Sequence, residues 1–169
     1  MQEELNKLNA LLGVYMVLGN HEYISGSEAA CEFIRSTNIR LLRDSVVKLP
    51  NGIQIVGRDD RSNPARLPIT DLLVQTDPAT PVFVLDHKPA NREVEQMVDT
   101  NRADFSFFGH THKGQIWLLN FVTSLVYRQD YGYQLCNKTH LYVSSGLGLW
   151  GPPFRIGTDS EIVVIDFTF

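Results

Sequence analysis

Three apolar runs constrain what this chain can become. Val14-Tyr15-Met16-Val17-Leu18, Pro81-Val82-Phe83-Val84-Leu85 and Phe105-Ser106-Phe107-Phe108 carry apolar side chains at almost every position rather than at alternate ones. Strands of that kind are buried on both faces, as in sheets covered on each side. Each run then stops in polar residues with ligating side chains. Gly19-Asn20-His21-Glu22 follows the first, Asp86-His87-Lys88-Pro89 the second, and Gly109-His110-Thr111-His112 the third. In open α/β sheets, sites gather at such strand ends.

The stretches between the runs read as helices and hairpins. A helix is expected from Gln2 to Leu12, with Leu5, Leu8, Leu11 and Leu12 on one face and Gly13 past its end. Ser25-x-x-Glu28 has the form of a capping box that opens a helix through Phe33 and Ile34. Ile39 to Leu42 reads as a short strand and Ile69 to Val74 as a short helix. Asn91 to Asp99 reads as a helix with Val94, Met97 and Val98 inward. Pro50-Asn51-Gly52 between apolar runs signals a hairpin of Ser45–Leu49 with Ile53–Gly57. A second hairpin is expected across Asn137-Lys138-Thr139, and a final strand from Glu161 to Phe167. Arg58 to Pro68 reads as a polar loop with Asp59 and Asp60 at its surface. Ile116 to Tyr127 is apolar but aperiodic and gives no element. The fold class is α/β (α+β), and residues 1–169 read as a single domain.

Composition removes several function classes. At 169 residues with 43% apolar side chains, the chain can bury a proper core. The net charge of −4 and the absence of a Lys/Arg run argue against a nucleic-acid footprint. No apolar run approaches the roughly 20 residues that span a bilayer. The polar start Met1-Gln2-Glu3-Glu4 is not a signal peptide, and the chain reads as soluble as given. Cys31 and Cys136 read as two half-buried thiols.

Four of the five histidines sit at the ends of the apolar runs. Any one of them alone is more simply a hydrogen-bonded side chain. Together they point to a metal centre, because neighbouring strand ends can aim separate imidazoles at one ion from about 2.0–2.2 Å. His140, beside a turn, is read as solvated, and the aromatic residues near Trp117 and Trp150 as packing or a substrate rim.

The spaced set Gly19-Asn20-His21-Glu22, His87 before Lys88-Pro89, and Gly109-His110-Thr111-His112 resembles the later motifs of calcineurin-like metallophosphoesterases. The resemblance continues through Gly114-Gln115 and Ser144-Ser145-Gly146-Leu147-Gly148, in the manner of the bacterial small phosphodiesterase branch, whose members are often membrane-associated. It implies a four-layer sandwich of two mixed β-sheets flanked by helices. It implies a site for two divalent ions from among manganese, iron and zinc, and hydrolysis of a phosphate ester by a metal-activated hydroxide. By position, Asn20, His87 and His110 would ligate the second metal and His112 the first. His21 would contact the phosphate and act as general acid.

The family's first two motifs, Asp-x-His and Gly-Asp-x-x-Asp or Asn, have no counterpart before Gly19. The chain therefore reads as the C-terminal part of such an enzyme, without its N-terminal βαβ portion, holding at most one weakly bound ion and weakly active or inactive alone. The lost segment is expected to bare a sheet edge that favours a homodimer. The alternative reading is a non-catalytic metal-binding or self-associating module of the same fold, and a mononuclear zinc protein is a third. Substrate and localisation stay open, with membrane association implied for a complete protein.

Overall fold

The chain builds two sheets of unequal size; the structure, a computed structural model, describes residues 1–168. The first part contains α1 (Gln2–Leu5), β1 (Tyr15–Met16), α2 (Asn20–Ser25), α3 (Ser27–Arg35) and β2 (Arg40–Leu41). β1 and β2 pair in parallel as the small sheet. Next come the antiparallel hairpin of β3 (Ser45–Lys48) and β4 (Gln54–Gly57), then α4 (Ile69–Leu73), β5 (Val82–Leu85), α5 (Asn91–Asp99) and β6 (Phe105–Phe108). A 3₁₀ turn at His112–Gly114 and α6 (Leu119–Val126) lead to the closing hairpin of β7 (Gly132–Cys136) and β8 (Thr139–Val143). The large sheet has the order β3-β4-β5-β6-β8-β7. The mixed α/β architecture of two sheets with helices is the one expected.

Alternation along the strands divides the core in two. Val56, Val82, Val84, Phe108, Leu141 and Val143 face α4 and α5, where Leu72 and Met97 complete a dry layer. Ile55 and Leu85 face the other way and pack with Leu42, Tyr15 and Val17 of the small-sheet unit. Leu18, Cys31, Ile34 and Ile39 form a third cluster between α3 and the small sheet. Cys31 is fully buried and Cys136 half-buried; neither is in a disulfide.

Central β4, β5, β6 and β8 are mutually parallel. Their C-terminal ends therefore lie side by side, and each is followed by polar residues. Gly57 pairs with Leu85, Leu85 with Phe107, and Phe108 with Val143. That register brings the segments after Gly57, Leu85, Phe108 and Val143 to one rim of the sheet.

Three expectations need correction. The first helix stops at Leu5 instead of Leu12. Leu8 and Leu11 find no apolar surface and stay exposed, while Asn38 holds the chain in turns by hydrogen bonds with Asn6 and the Leu8 carbonyl. The Ser25 capping box does not form. The helix through Phe33 and Ile34 forms as α3 but begins at Ser27 after Gly26 at φ 109°, while Ser25 is the last residue of a separate helix, α2, where the Glu22 carboxylate accepts the Gly19 N–H at 2.8 Å. Glu161 to Phe167 makes no strand ladder among the described residues. Its alternating pattern suits a strand, but it is held by one backbone hydrogen bond, from the Glu161 N–H to the Gly146 carbonyl at 3.2 Å, and by side chains. Glu161 accepts the Ser145 N–H, and Phe167 packs on Phe83 and Phe105 with ring centroids 4.4 and 5.0 Å away.

Candidate metal centre

The strand ends deliver three of the expected ligands to one point. His87 follows β5 and His110 follows β6, and the Gly109 N–H donates to the His87 carbonyl across the rim at 3.0 Å. Asn20 opens α2, which starts at the end of the small-sheet unit. Its Oδ1 lies 2.9 Å from His87 Nε2 and 3.2 Å from His110 Nδ1, and the two ring nitrogens are 3.1 Å apart. An ion with donors at about 2.0–2.2 Å needs neighbouring donors roughly 2.8–3.6 Å apart. The triangle meets that requirement. Among the described residues no three His, Cys, Asp or Glu side chains gather as a metal cluster; the third corner here is an amide oxygen.

The triangle is set by close contacts. A Cβ on Gly19 would lie 2.8–2.9 Å from the His87 ring, closer than real carbons approach, so only glycine lets that ring reach Asn20. The loop after β6 takes positive φ at His110 (70°), His112 (50°), Lys113 (50°), Gln115 (56°) and Leu118 (67°). Non-glycine residues occupy that region only when their surroundings impose it, and such strain gathers at functional sites. Gln115 supplies much of the imposition. It is fully buried, its amide nitrogen donates to the Trp150 and Pro152 carbonyls at 2.7 and 3.0 Å, and its Oε1 accepts the Trp150 N–H at 2.8 Å.

Electrostatics keep the imidazoles neutral. Burial, followed by the adjacent His87, pushes His110 down to about 4. Burial also lowers His87, against the Asp60 and Glu22 carboxylates, which raise it. Burial and then the Arg155 guanidinium lower His112. At neutral pH each ring offers a lone pair with no proton to displace, the form that binds metal.

His112 does not join the triangle. It shares the same cleft, of about 270 Å³, whose walls include Asn20, His21, His110, Thr111, Tyr127 and Trp150. Arg155 sits against it: Nη1 donates to the His112 carbonyl at 3.1 Å, and Nη2 to the Ser145 and Gly148 carbonyls at 2.8 and 2.7 Å. His21 is exposed on the cleft wall, one residue beyond Asn20 on α2.

Asp59 and Asp60 overturn the surface-loop expectation: they are only 2% and 3% exposed. They follow β4 at the same rim as the histidines, so the strand-end logic applied to His87 and His110 would have found them. Asp60 supplies the negative charge felt by both His87 and His110. Asp59 accepts from the Tyr23 hydroxyl at 2.7 Å, Arg43 Nε at 2.9 Å and Asn63 at 2.9 Å. Tyr23 is on α2, so this network fixes the helix that carries Asn20 and His21. Desolvation and the Asp59 carboxylate push the Tyr23 hydroxyl up to about 12.

A sequence profile for the calcineurin-like phosphoesterase matches residues 1–114, most of the chain and all three histidine-bearing strand ends. The chain belongs to the calcineurin-like phosphoesterase family. A metallophosphoesterase of Aquifex aeolicus is 33% identical over 98% of this chain and 64% of its own length. One from Campylobacter jejuni is 35% identical over 96% of this chain and 44% of its own length. A Bos taurus protein named transmembrane protein with metallophosphoesterase domain is 32% identical over 94% of this chain and 39% of its own length. The chain thus spans about two fifths to two thirds of these relatives. No solved structure matches it significantly. Calcineurin-like phosphoesterases in general use divalent metals, and the neutral, suitably spaced donor set fits such an ion. Among the described residues no helix is long and apolar enough to cross a membrane.

Proposed function

We propose that the cleft binds a divalent cation on Asn20, His87 and His110 and serves the hydrolysis of a phosphate ester, a phosphodiester being the favoured substrate. The observation that carries this reading is the triangle of three donor atoms 2.9–3.2 Å apart at the family's motif positions. A bound ion would supply Lewis-acid polarisation of a phosphoryl oxygen and a more acidic water. The chain's own residues do the rest. Asn20 and the two imidazoles orient the ion, and His21 reaches the phosphate from the cleft wall and protonates the leaving oxygen. His112, held neutral, is a fourth lone pair toward a second ion, and Arg155 positions it. Manganese, iron and zinc suit mixed nitrogen and oxygen donors.

The test is titration calorimetry with manganese and zinc, paired with hydrolysis of bis-p-nitrophenyl phosphate. One equivalent of ion should bind, and His87→Ala or His110→Ala should abolish it. His21→Ala should lower turnover about a hundredfold while leaving ion affinity in place. Binding that survives both histidine substitutions would overturn the ligand set. A second reading, a non-catalytic metal-binding or self-associating module of the same fold, is supported by the wholly neutral donors of the triangle, which leave a divalent charge uncompensated and so hold an ion weakly. Ion binding with no turnover would select it. Sedimentation velocity tests the accompanying proposal that two copies pair through a sheet edge, which a clean monomer at high concentration would overturn.

A further inference from the structure

A groove of about 650 Å³ opens between the loop after β4 and the start of α5, and its charge is lopsided. Arg58, Arg61, Arg66, Lys88 and Arg92 line it, and Glu93 is the one carboxylate among its lining residues. Asp86 lies behind, buried, and takes Arg58 Nη1 at 3.0 Å and Arg66 Nη2 at 2.5 Å. Glu93 pairs with Arg58, with Arg61 at 3.2 Å and with Arg66 at 3.1 Å. Three guanidinium groups therefore share two carboxylates. Among the described residues neither Lys88 nor Arg92 has a carboxylate partner, and Arg128, outside the groove, is taken by Glu95 at 3.6 Å. Five cations against Glu93 and Asp86 leave an excess of three positive charges, in a chain whose net charge is −4.

A purely structural ion network balances its own charges, because a buried charge without a partner is costly. This one does not. The Arg58 and Arg66 side chains are only 3% and 6% exposed, and the Nε of each is buried with no hydrogen-bond partner among the described residues. Helix α5 starts at the groove with Asn91, and no side chain caps it, so its positive end adds to the same field. Guanidinium groups and an uncapped helix N-terminus converging on one groove are the chemistry that holds a phosphate.

The groove and the histidine cleft share a wall. Tyr127 lines both. His110 meets the Tyr127 ring edge-on with centroids 6.2 Å apart, and the Lys88 ammonium lies 5.9 Å from the same ring. Asn91 fixes that wall, donating to the Val126 carbonyl at 3.0 Å and accepting the Arg128 N–H at 2.8 Å. Lys88 directly follows His87, and after burial its ammonium is among the groups that lower both His87 and His110. We propose that the groove is a second anion subsite, holding one phosphate of a ligand whose other phosphate lies in the cleft, on the far side of Tyr127. A soluble ester carrying two phosphates is then the substrate class; this last step rests on the proposed function, whereas the anion subsite does not.

Thermal unfolding of the chelator-treated chain in inorganic phosphate, against chloride at equal ionic strength, tests the subsite alone. Phosphate should raise the midpoint saturably, as a ligand of the folded state does. Lys88→Gln with Arg92→Gln removes two cations that stand outside the ion pairs, and should weaken phosphate affinity at least about tenfold. Glu93→Gln removes the competing carboxylate and should strengthen it, a change of sign that a purely structural network would not give. His21→Ala, in the cleft, should leave it in place. No shift beyond that in chloride, an undiminished shift in the double variant, or a shift abolished by His21→Ala would each overturn the subsite. Alkanediol bisphosphates of increasing length, titrated by calorimetry with manganese present, then act as a ruler across Tyr127. One length should bind at least about tenfold tighter than the matching monophosphate, a gain in effective concentration that the double variant loses. A flat series would overturn the two-phosphate ligand and leave free phosphate as the occupant. Neither arm needs turnover, so failed hydrolysis with both intact counts only against the phosphoesterase reading.

Discussion

The floor and the rim of the histidine cleft are built on opposite plans. The floor is the outcome of sheet register: parallel strands end together, and His87 and His110 meet because Leu85 pairs with Phe107. Its side chains are half-buried or buried, neutral where they ligate, and tied inward through Asp59, Tyr23 and Arg43. The rim, residues 116–126 and 147–157, has almost no core of its own. It is held by the buried Gln115 side chain and by Arg155, and it points its apolar side chains outward. Burial lowers free energy in the floor by hiding apolar area and satisfying polar atoms within the chain. The rim makes its polar contacts through Gln115 and Arg155 but leaves its apolar area exposed.

The comparison breaks most sharply at Asp59. Asp59→Ala removes the acceptor for Tyr23, Arg43 and Asn63 together, and should cost about 2–4 kcal/mol in urea unfolding, since the Arg43 charge is left only partly solvated. The sign of its pH dependence is fixed. Burial pushes the Asp59 carboxyl up, but hydrogen bonds from Tyr23, Asn63, the Asp60 N–H and Arg43 more than offset this, so its folded value lies below 3.8. Its stabilisation is complete above that value and drains away as pH falls through the lower folded one. The acid limb of the stability profile should therefore be shallower in Asp59→Ala than in the unsubstituted chain.

A finer probe of the floor is Gly19→Ala. The new methyl meets the His87 ring at 2.8–2.9 Å, so the ring must swing away from Asn20. Manganese affinity should drop at least about tenfold, or about 1.4 kcal/mol, with thermal unfolding changed far less. Unchanged affinity would mean that the ring position does not limit binding. The smallest effect belongs to the rim. Leu125→Ser, at a position 87% exposed, should move stability by less than about 0.5 kcal/mol. A larger loss would show that α6 is covered after all and would erase the contrast with the floor.

The sequence made the floor legible and the rim not, for a physical reason. Phe105–Phe108 is a continuous apolar run, Asn91–Asp99 keeps a helical period, and Asn51-Gly52 has a turn chemistry with one structural answer; all three appear where expected. Local signals failed where tertiary contacts outweigh propensity. Gln2–Leu12 has the leucines of a helix but no surface to bury them. Ser25 cannot cap α3 because it closes α2, and Gly26 at φ 109° makes the break between them. Asp59 and Asp60 look like solvated charge until β4 carries them to the histidine floor. Ile116–Tyr127 resisted assignment because its apolar face is aimed away from the protein, and core-facing periodicity says nothing about a helix with no core to face.

Gln115 has one more consequence. Its side chain grips the backbone of Trp150 and Pro152, and its own carbonyl accepts the Ile156 N–H at 3.0 Å. Arg155 spans the same gap to His112. The outward-facing loop and the loop bearing His110 and His112 are thus joined at two points, Gln115 and Arg155. The outer loop is thereby tied to the histidine loop through the polar side chains of Gln115 and Arg155 rather than through apolar packing.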